Sequence, residues 1–132
     1  MEPESSFQPD VITSGLYQEI INEYKDRLNE FKVIDASDGS KVRELTITEE
    51  YSVAHARFPT NTAPHMLVDT SETYVCVKGR GILHIGDETV EISKGSVVTV
   101  PPGEKQWFEV RESSDCYLFV SPPYDPEKDI NV

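Results

Sequence analysis

Between residues 64 and 103 the chain reads PHMLVDTSETYVCVKGRGILHIGDETVEISKGSVVTVPPG, short apolar runs rich in valine and isoleucine cut at intervals by Gly, Gly-Asp and Pro-Pro-Gly. Runs of this length bounded by turn residues predict a small antiparallel β fold. Side chains alternate across a strand, so counting from Glu72 puts Tyr74 and Cys76 on its face and Thr73, Val75 and Val77 on the other. Gly79 and Gly81 predict a tight corner into the next strand, where Leu83 and Ile85 share one face and Ile82 and His84 the opposite one. Gly86-Asp87-Glu88 predicts a hairpin turn into a strand over 89–92, and Lys94-Gly95 a turn into a strand over 97–100. After Pro101-Pro102-Gly103, the residues Gln106, Phe108 and Val110 fall on a face opposite Trp107, Glu109 and Arg111, and a last strand over 116–120 stops at Ser121-Pro122-Pro123.

Upstream the period changes. Leu16, Ile20, Tyr24, Leu28 and Phe31 recur at helical spacing among charged residues, which predicts an amphipathic helix over about 14–31. Thr13 or Ser14 is placed to cap its first turn, and Glu23 to pair with Arg27 one turn on. Residues 1–12, short of apolar side chains and broken by proline, read as a flexible tail. Residues 41–48 alternate as a strand whose phase slips once. Residues 51–58 alternate cleanly, with Ala54, Ala56 and Phe58 on one face and Val53, His55 and Arg57 on the other. No internal repeat or linker divides the chain beyond the tail, so residues 13–132 are expected to form a single domain.

Charge narrows the partners. The 132 residues carry 24 acidic against 12 basic side chains, a formal net charge of -12, and no Lys or Arg cluster offers a local basic face. Such a surface repels polyanions, which argues against nucleic acid and anionic membrane as partners. No charged-then-apolar leader opens the chain and no apolar run is long enough to span a bilayer, so a cytoplasmic protein is expected. Two cysteines, Cys76 and Cys116, outside any C-x-x-C arrangement, are expected as reduced thiols.

The spaced Gly and Pro corners resemble those of the cupins, small double-stranded β-helix barrels. The family's first motif runs G-x5-H-x-H-x3-4-E-x6-G and its second G-x5-P-x-G-x2-H-x3-N. Here Gly95, Pro101 and Gly103 keep the opening of the second motif, Glu72 and Gly79 the close of the first, and His65 stands where the first His belongs. The resemblance covers roughly residues 45–125. It implies an all-β, cupin-type jelly-roll barrel carrying the N-terminal helix. Cupins of this size commonly associate through sheet edges, so a homodimer is expected, with the apolar stripe of the helix as added contact area.

For chemistry the resemblance points to the barrel mouth. Metal-binding cupins supply three His and one carboxylate or amide from the two motifs. In this chain Leu67 fills the second His slot and Gln106 the last, while Pro59 and Val110 replace the flanking Gly and Asn. The set left for a divalent ion (Zn, Mn, Fe or Ni) is therefore His65, Glu72 and Gln106, with no cofactor required by the sequence. Leucine has no lone pair and an amide oxygen is a weak neutral donor. Glu72 is costly to bury unpaired, so a protonated His65 or a metal is expected to meet it.

Two functions are compatible with this pattern. One is a small-molecule-binding barrel with a degenerate metal site. The other is an isomerase, epimerase or lyase acting on a small sugar or carboxylic acid, either with His65, held by Glu72, as general base and Tyr74 as acid, or through a metal. If His55 and Arg57 face inward they are anchors for an anionic substrate. Cys76, Gln106 and Phe108 complete the candidate substrate-binding residues, with a plain core position as the alternative for Cys76. His84, opposite in parity to Leu83 and Ile85, is assigned to the surface or to a dimer face.

Overall fold

A computed structural model describes residues 33–36 and 38–132; the sequence-predicted tail over 1–12 and helix over 14–31 lie outside these residues. Nine strands follow in order: β1 (Val33–Asp35), β2 (Lys41–Ile47), β3 (Ser52–Phe58), β4 (His65–Leu67), β5 (Ser71–Ile85), β6 (Glu88–Ser93), β7 (Val97–Val100), β8 (Lys105–Ser121) and β9 (Asp129–Asn131), with one turn of 3-10 helix at Pro126–Lys128 before the last. Every pairing is antiparallel. The expected all-β barrel is what these strands build.

Two long strands form the spine. β8 pairs with β5 from Ser71↔Ser121 to Ile85↔Gln106, and its other edge is shared by β3 near one end and β4 near the other. The free edge of β5 is taken by β7 beside residues 72–75 and by β6 beside residues 80–85. Each spine strand thus serves two walls of the barrel, and the sheet curls because both bend midway. The bend falls where the β5–β8 register shifts between Cys76 and Gly81, a set of bulges that increases local twist.

Gly79 sits there with φ of 85°, and a Cβ on it would run into the backbone of Ser113. At Gly81 the Phe108 ring lies close enough to the backbone that a Cβ would sit 2.5 Å from Cε1. The sequence placed a corner between two strands at these glycines, and two more strands over 106–111 and 116–120. The structure has one bent 15-residue strand and one 17-residue strand instead, because the ladder continues across bulges that in sequence look like turns.

The phase slip in β2 has the same cause: Glu44 faces Ala54 and Thr46 faces Val53, so Leu45 is an extra residue. The bulge lets Val42, Glu44 and Ile47 all turn to one side.

Alternation then sorts the faces. Along β5 the inward residues Glu72, Tyr74 and Cys76 are buried while Thr73 and Val75 are only partly so. Ala56, Phe58, Tyr74, Cys76, Leu83, Ile92, Val100, Phe108, Cys116 and Leu118 make one apolar core. Phe58 packs edge-on to Phe108 at 5.2 Å and lies 6.2 Å from Tyr74. Burying a ring of this size stabilises by roughly 1.5–3 kcal/mol. Among the described residues no helix is long and apolar enough to cross a membrane.

Candidate functional site

The core fills only one end of the barrel. Beyond Phe58 and Tyr74 the space stays open as a cavity of about 800 Å³, walled by Val42, Ala54, Leu67, Leu118 and Val120 and carrying His65, Glu72, Asp38, Tyr124 and Asp129 among its polar groups. Ala54 matters because a side chain this short on β3 leaves the room that a larger residue would fill.

Glu72 is the central group. It comes from the inward face of β5, is 6% exposed, and its Oε1 has no hydrogen-bond partner among the described residues. Burial drives its carboxyl up to about 7. The positive field of His65 and the Gln106 amide pull it back, and the neighbouring Asp129 and Asp38 push it up again. Removing a carboxylate from water disfavours its charged form, so near neutral pH this group exists both with and without its proton. The sequence expectation that something must meet Glu72 is answered in part by His65 and in part by the proton itself.

His65 opens β4, directly opposite Gln106 in the ladder. Its Nδ1 lies 3.3 Å from the carbonyl oxygen of Ala63 and 3.9 Å from Oδ2 of Asp38. Both neighbours are acceptors, which assigns a proton to Nδ1 and leaves Nε2 as the second ring nitrogen. Asp38 is held for this by its own loop: Ser40 donates to Oδ1 through its backbone N–H at 2.9 Å and its hydroxyl at 2.6 Å, and the Ala63 N–H donates to the Asp38 carbonyl at 2.8 Å.

Tyr74 donates its hydroxyl to Oε1 of Gln106 at 2.5 Å. Burial first, and the Glu72 charge second, hold the phenol well above its ordinary range. Gln106 is buried behind Tyr74 rather than along the cavity wall, and its amide oxygen is committed to that bond. Phe108 and Cys76 belong to the core beneath, Cys76 directly across the ladder from Cys116, both as free thiols.

His55 and Arg57 do not reach the cavity. The face of β3 that lines it carries Ser52, Ala54 and Phe58, so His55 and Arg57 turn outward, where both meet Oδ1 of Asp115 at 3.3 and 2.9 Å. Burial lowers the His55 pKa against the pull of Asp115. His84 also lies outside, stacked on Trp107 at 3.9 Å with its Nε2 3.0 Å from Glu109.

The sequence missed part of the wall. Asp129 and Tyr124 arrive through the C-terminal segment, in which Asp125 caps the 3-10 turn and β9 then pairs with β4, Leu67 facing Asp129. Tyr124 donates its hydroxyl to Oδ2 of Asp129 at 2.7 Å, and its own backbone N–H to Oγ of Ser52 at 3.0 Å. Asp129 Oδ1 is a second buried oxygen without a partner among the described residues. The density of acids and an aromatic in YDPEKD after the last barrel strand was the available signal.

The donor set does not suit a resident metal. Leu67 lines the cavity at the missing ligand position, and Gln106 spends its oxygen on Tyr74. Of the set expected from the sequence that leaves His65 and Glu72, fewer than the three protein ligands a catalytic zinc site uses. Among the described residues no three His, Cys, Asp or Glu side chains gather closely enough to hold an ion.

An uncharacterised protein of Methanocaldococcus jannaschii, MJ1618, is 31% identical over 85 residues, covering 59% of this chain and 68% of that one. Among solved structures, a Streptomyces PAC13 variant with uridine superposes with a TM-score of 0.72 at 20% identity, over 80% of this chain and 87% of that one. Pac13 is a nucleoside dehydratase. Ectoine synthase from P. lautus gives a TM-score of 0.66 at 21% identity, over 80% and 86% of the two chains, and KdgF from Halomonas sp. 0.67 at 18%, over 75% and 94%. At these identities the likeness is one of fold. The family model described as Cupin domain matches residues 57–122, half of the chain and the part that contributes β4 through β8. By that match, and by a barrel built as those motifs require, the chain belongs to the cupin family.

Proposed function

We propose that this cupin is a small-molecule enzyme of the isomerase or lyase kind, working by general acid–base chemistry without a bound metal. One observation carries the reading. A carboxyl that faces the cavity from a buried position keeps one oxygen unpartnered and has its pKa raised to about 7. Acid–base catalysis is most efficient when the group's pKa lies near the working pH, and a strongly shifted group in a cleft is a mark of function. Glu72 accepts a proton from the bound molecule and returns it at another atom. His65 steadies the carboxylate in between, its ring fixed by Ala63 and faced by Asp38. Tyr74 directs its proton to Gln106 and so presents its oxygen to the ligand as an acceptor. The fold neighbours include a nucleoside dehydratase, an ectoine synthase and KdgF, which supports placing a small molecule in this cavity.

The test is proton exchange in D2O. Panels of small hydroxy-ketones, nucleosides and amines are incubated with the full chain and followed by proton NMR. Deuterium entering one C–H position of a panel member, and lost in Glu72→Gln, is the expected result. A ligand that binds in the cavity with no exchange or turnover would reduce the protein to a binding barrel. A homodimer belongs to the same proposal, supported by the outward side chains of Val97, Val77 and Phe119, each at least 40% exposed. Light scattering that gives a monomer at micromolar concentration ends that part.

A further inference from the structure

The cavity is chemically one-sided. Asp38, Glu44, Glu72 and Asp129 line it, with Asp35 among its other lining residues and paired to Lys41 at 2.8 Å. His65 is the one basic side chain among the described lining residues, and no Lys or Arg is there. The whole chain adds to that field with its net charge of -12.

A second observation is independent of the charge count. The described residues contain two buried side-chain polar atoms without a hydrogen-bond partner, Oε1 of Glu72 and Oδ1 of Asp129. Both belong to residues of this one cavity. Buried polar atoms are almost always satisfied in a folded protein, and an ionised carboxylate only accepts hydrogen bonds. What is missing here is a donor. A carboxylate or a fully ionised phosphate supplies none, and either would be placed against four acids with one imidazole to offset them.

The surrounding wall is apolar or aromatic, with Phe58, Leu67, Leu118 and Val120 below and the Tyr124 ring beside Asp129. Aromatic faces attract cations as well as apolar groups.

We infer that the cavity takes a small primary amine with an apolar body, its ammonium group donating to Glu72 and Asp129. The inference rests on the small-molecule reading above and narrows it. An ammonium has three donors and a positive charge, enough for both orphaned oxygens and one further partner. It also departs from the carboxylic acid that the sequence allowed as a substrate: the anchors proposed for an anion, His55 and Arg57, lie on the outer face.

Three probes with one aryl body separate the possibilities: 2-phenylethylamine, 2-phenylethanol and phenylacetate, titrated into the full chain by calorimetry at low and high salt. The expected result is binding of the amine, at least tenfold weaker binding of the alcohol and none of phenylacetate, with the amine weakened by salt. Asp129→Asn and Glu72→Gln are each expected to cost the amine about tenfold and to narrow its advantage over the alcohol. Circular dichroism checks that each variant is folded, and the salt series on the unaltered chain stands without either. Alcohol or phenylacetate binding as tightly as the amine overturns the inference, as does failure of the amine to bind at millimolar concentration. Either outcome leaves the acid–base reading to its own deuterium-exchange test, which uses neutral compounds as well.

Discussion

Two of the histidine–carboxylate neighbourhoods in the barrel, one on each side of its wall, are built to opposite ends. On the outer face His55 and Arg57 converge on a single oxygen of Asp115, so the acid is met by two donors. On the inner face Glu72 has the field of His65 but keeps an oxygen with no donor among the described residues. The outer cluster is complete in itself. The inner one is completed only by a proton or a ligand, and a carboxyl in that condition titrates near neutrality while an ordinary carboxylate does not. The same residue pair therefore tells little about function until the remaining lone pairs are accounted for.

The largest effect is expected where the two faces share a support. Phe108 packs against Phe58 and lies over Gly81 in the common core. Phe108→Ala is expected to cost about 3–5 kcal/mol, equally at pH 5 and pH 8, as measured by urea unfolding. A loss confined to one pH would mean that the core and the inner acid are linked.

Next comes the inner acid. With a pKa of about 7 in the folded state against 4.5 for a free carboxyl, folded protein retains a proton that unfolded chain has lost between those values. Stability contributed by this group therefore falls as pH rises from about 4.5 to 7, and the whole penalty stands above that. Glu72→Gln is expected to be neutral at pH 4 and to stabilise the fold above pH 7 by on the order of 3 kcal/mol. Unfolding curves across pH check it; a variant less stable than the parent at pH 8 would show that the inner carboxyl is as well satisfied as the outer one.

The outer acid should show the reverse sign. Asp115→Asn removes the charge that His55 and Arg57 meet and is expected to lose about 1–2 kcal/mol at neutral pH, read from the same curves. The smallest effect is expected from Tyr74→Phe, which leaves the Gln106 oxygen without its donor and costs about 1 kcal/mol, read as a fall in Tm.

Where the sequence could be read, periodicity was the reason. The parity that puts Glu72, Tyr74 and Cys76 on one face survives in the folded strand, and the slip near Leu45 is a bulge. Parity also grouped His55 with Arg57, but it could not say which side of the sheet was the inside. That was decided by Ala54 and Ala56, whose small side chains face a space enclosed by distant strands. The bent spine strands were read as four because a bulge and a turn use the same residues. Asp38, Tyr124 and Asp129 were missed for a different reason. They reach the cavity through a loop tethered at Ala63 and through three-residue strands, β4 and β9, too short to carry a period. Their placement is a matter of tertiary hydrogen bonds, which leave no repeating trace in the chain.

Trp107 is the chain's one tryptophan, and it lies face to face with His84 on the outer surface. Indole emission from this protein therefore reports on the exterior of the barrel and not on the chamber. Ligand titrations need another signal, and the tyrosines of the chamber, Tyr74 and Tyr124, are placed to supply it.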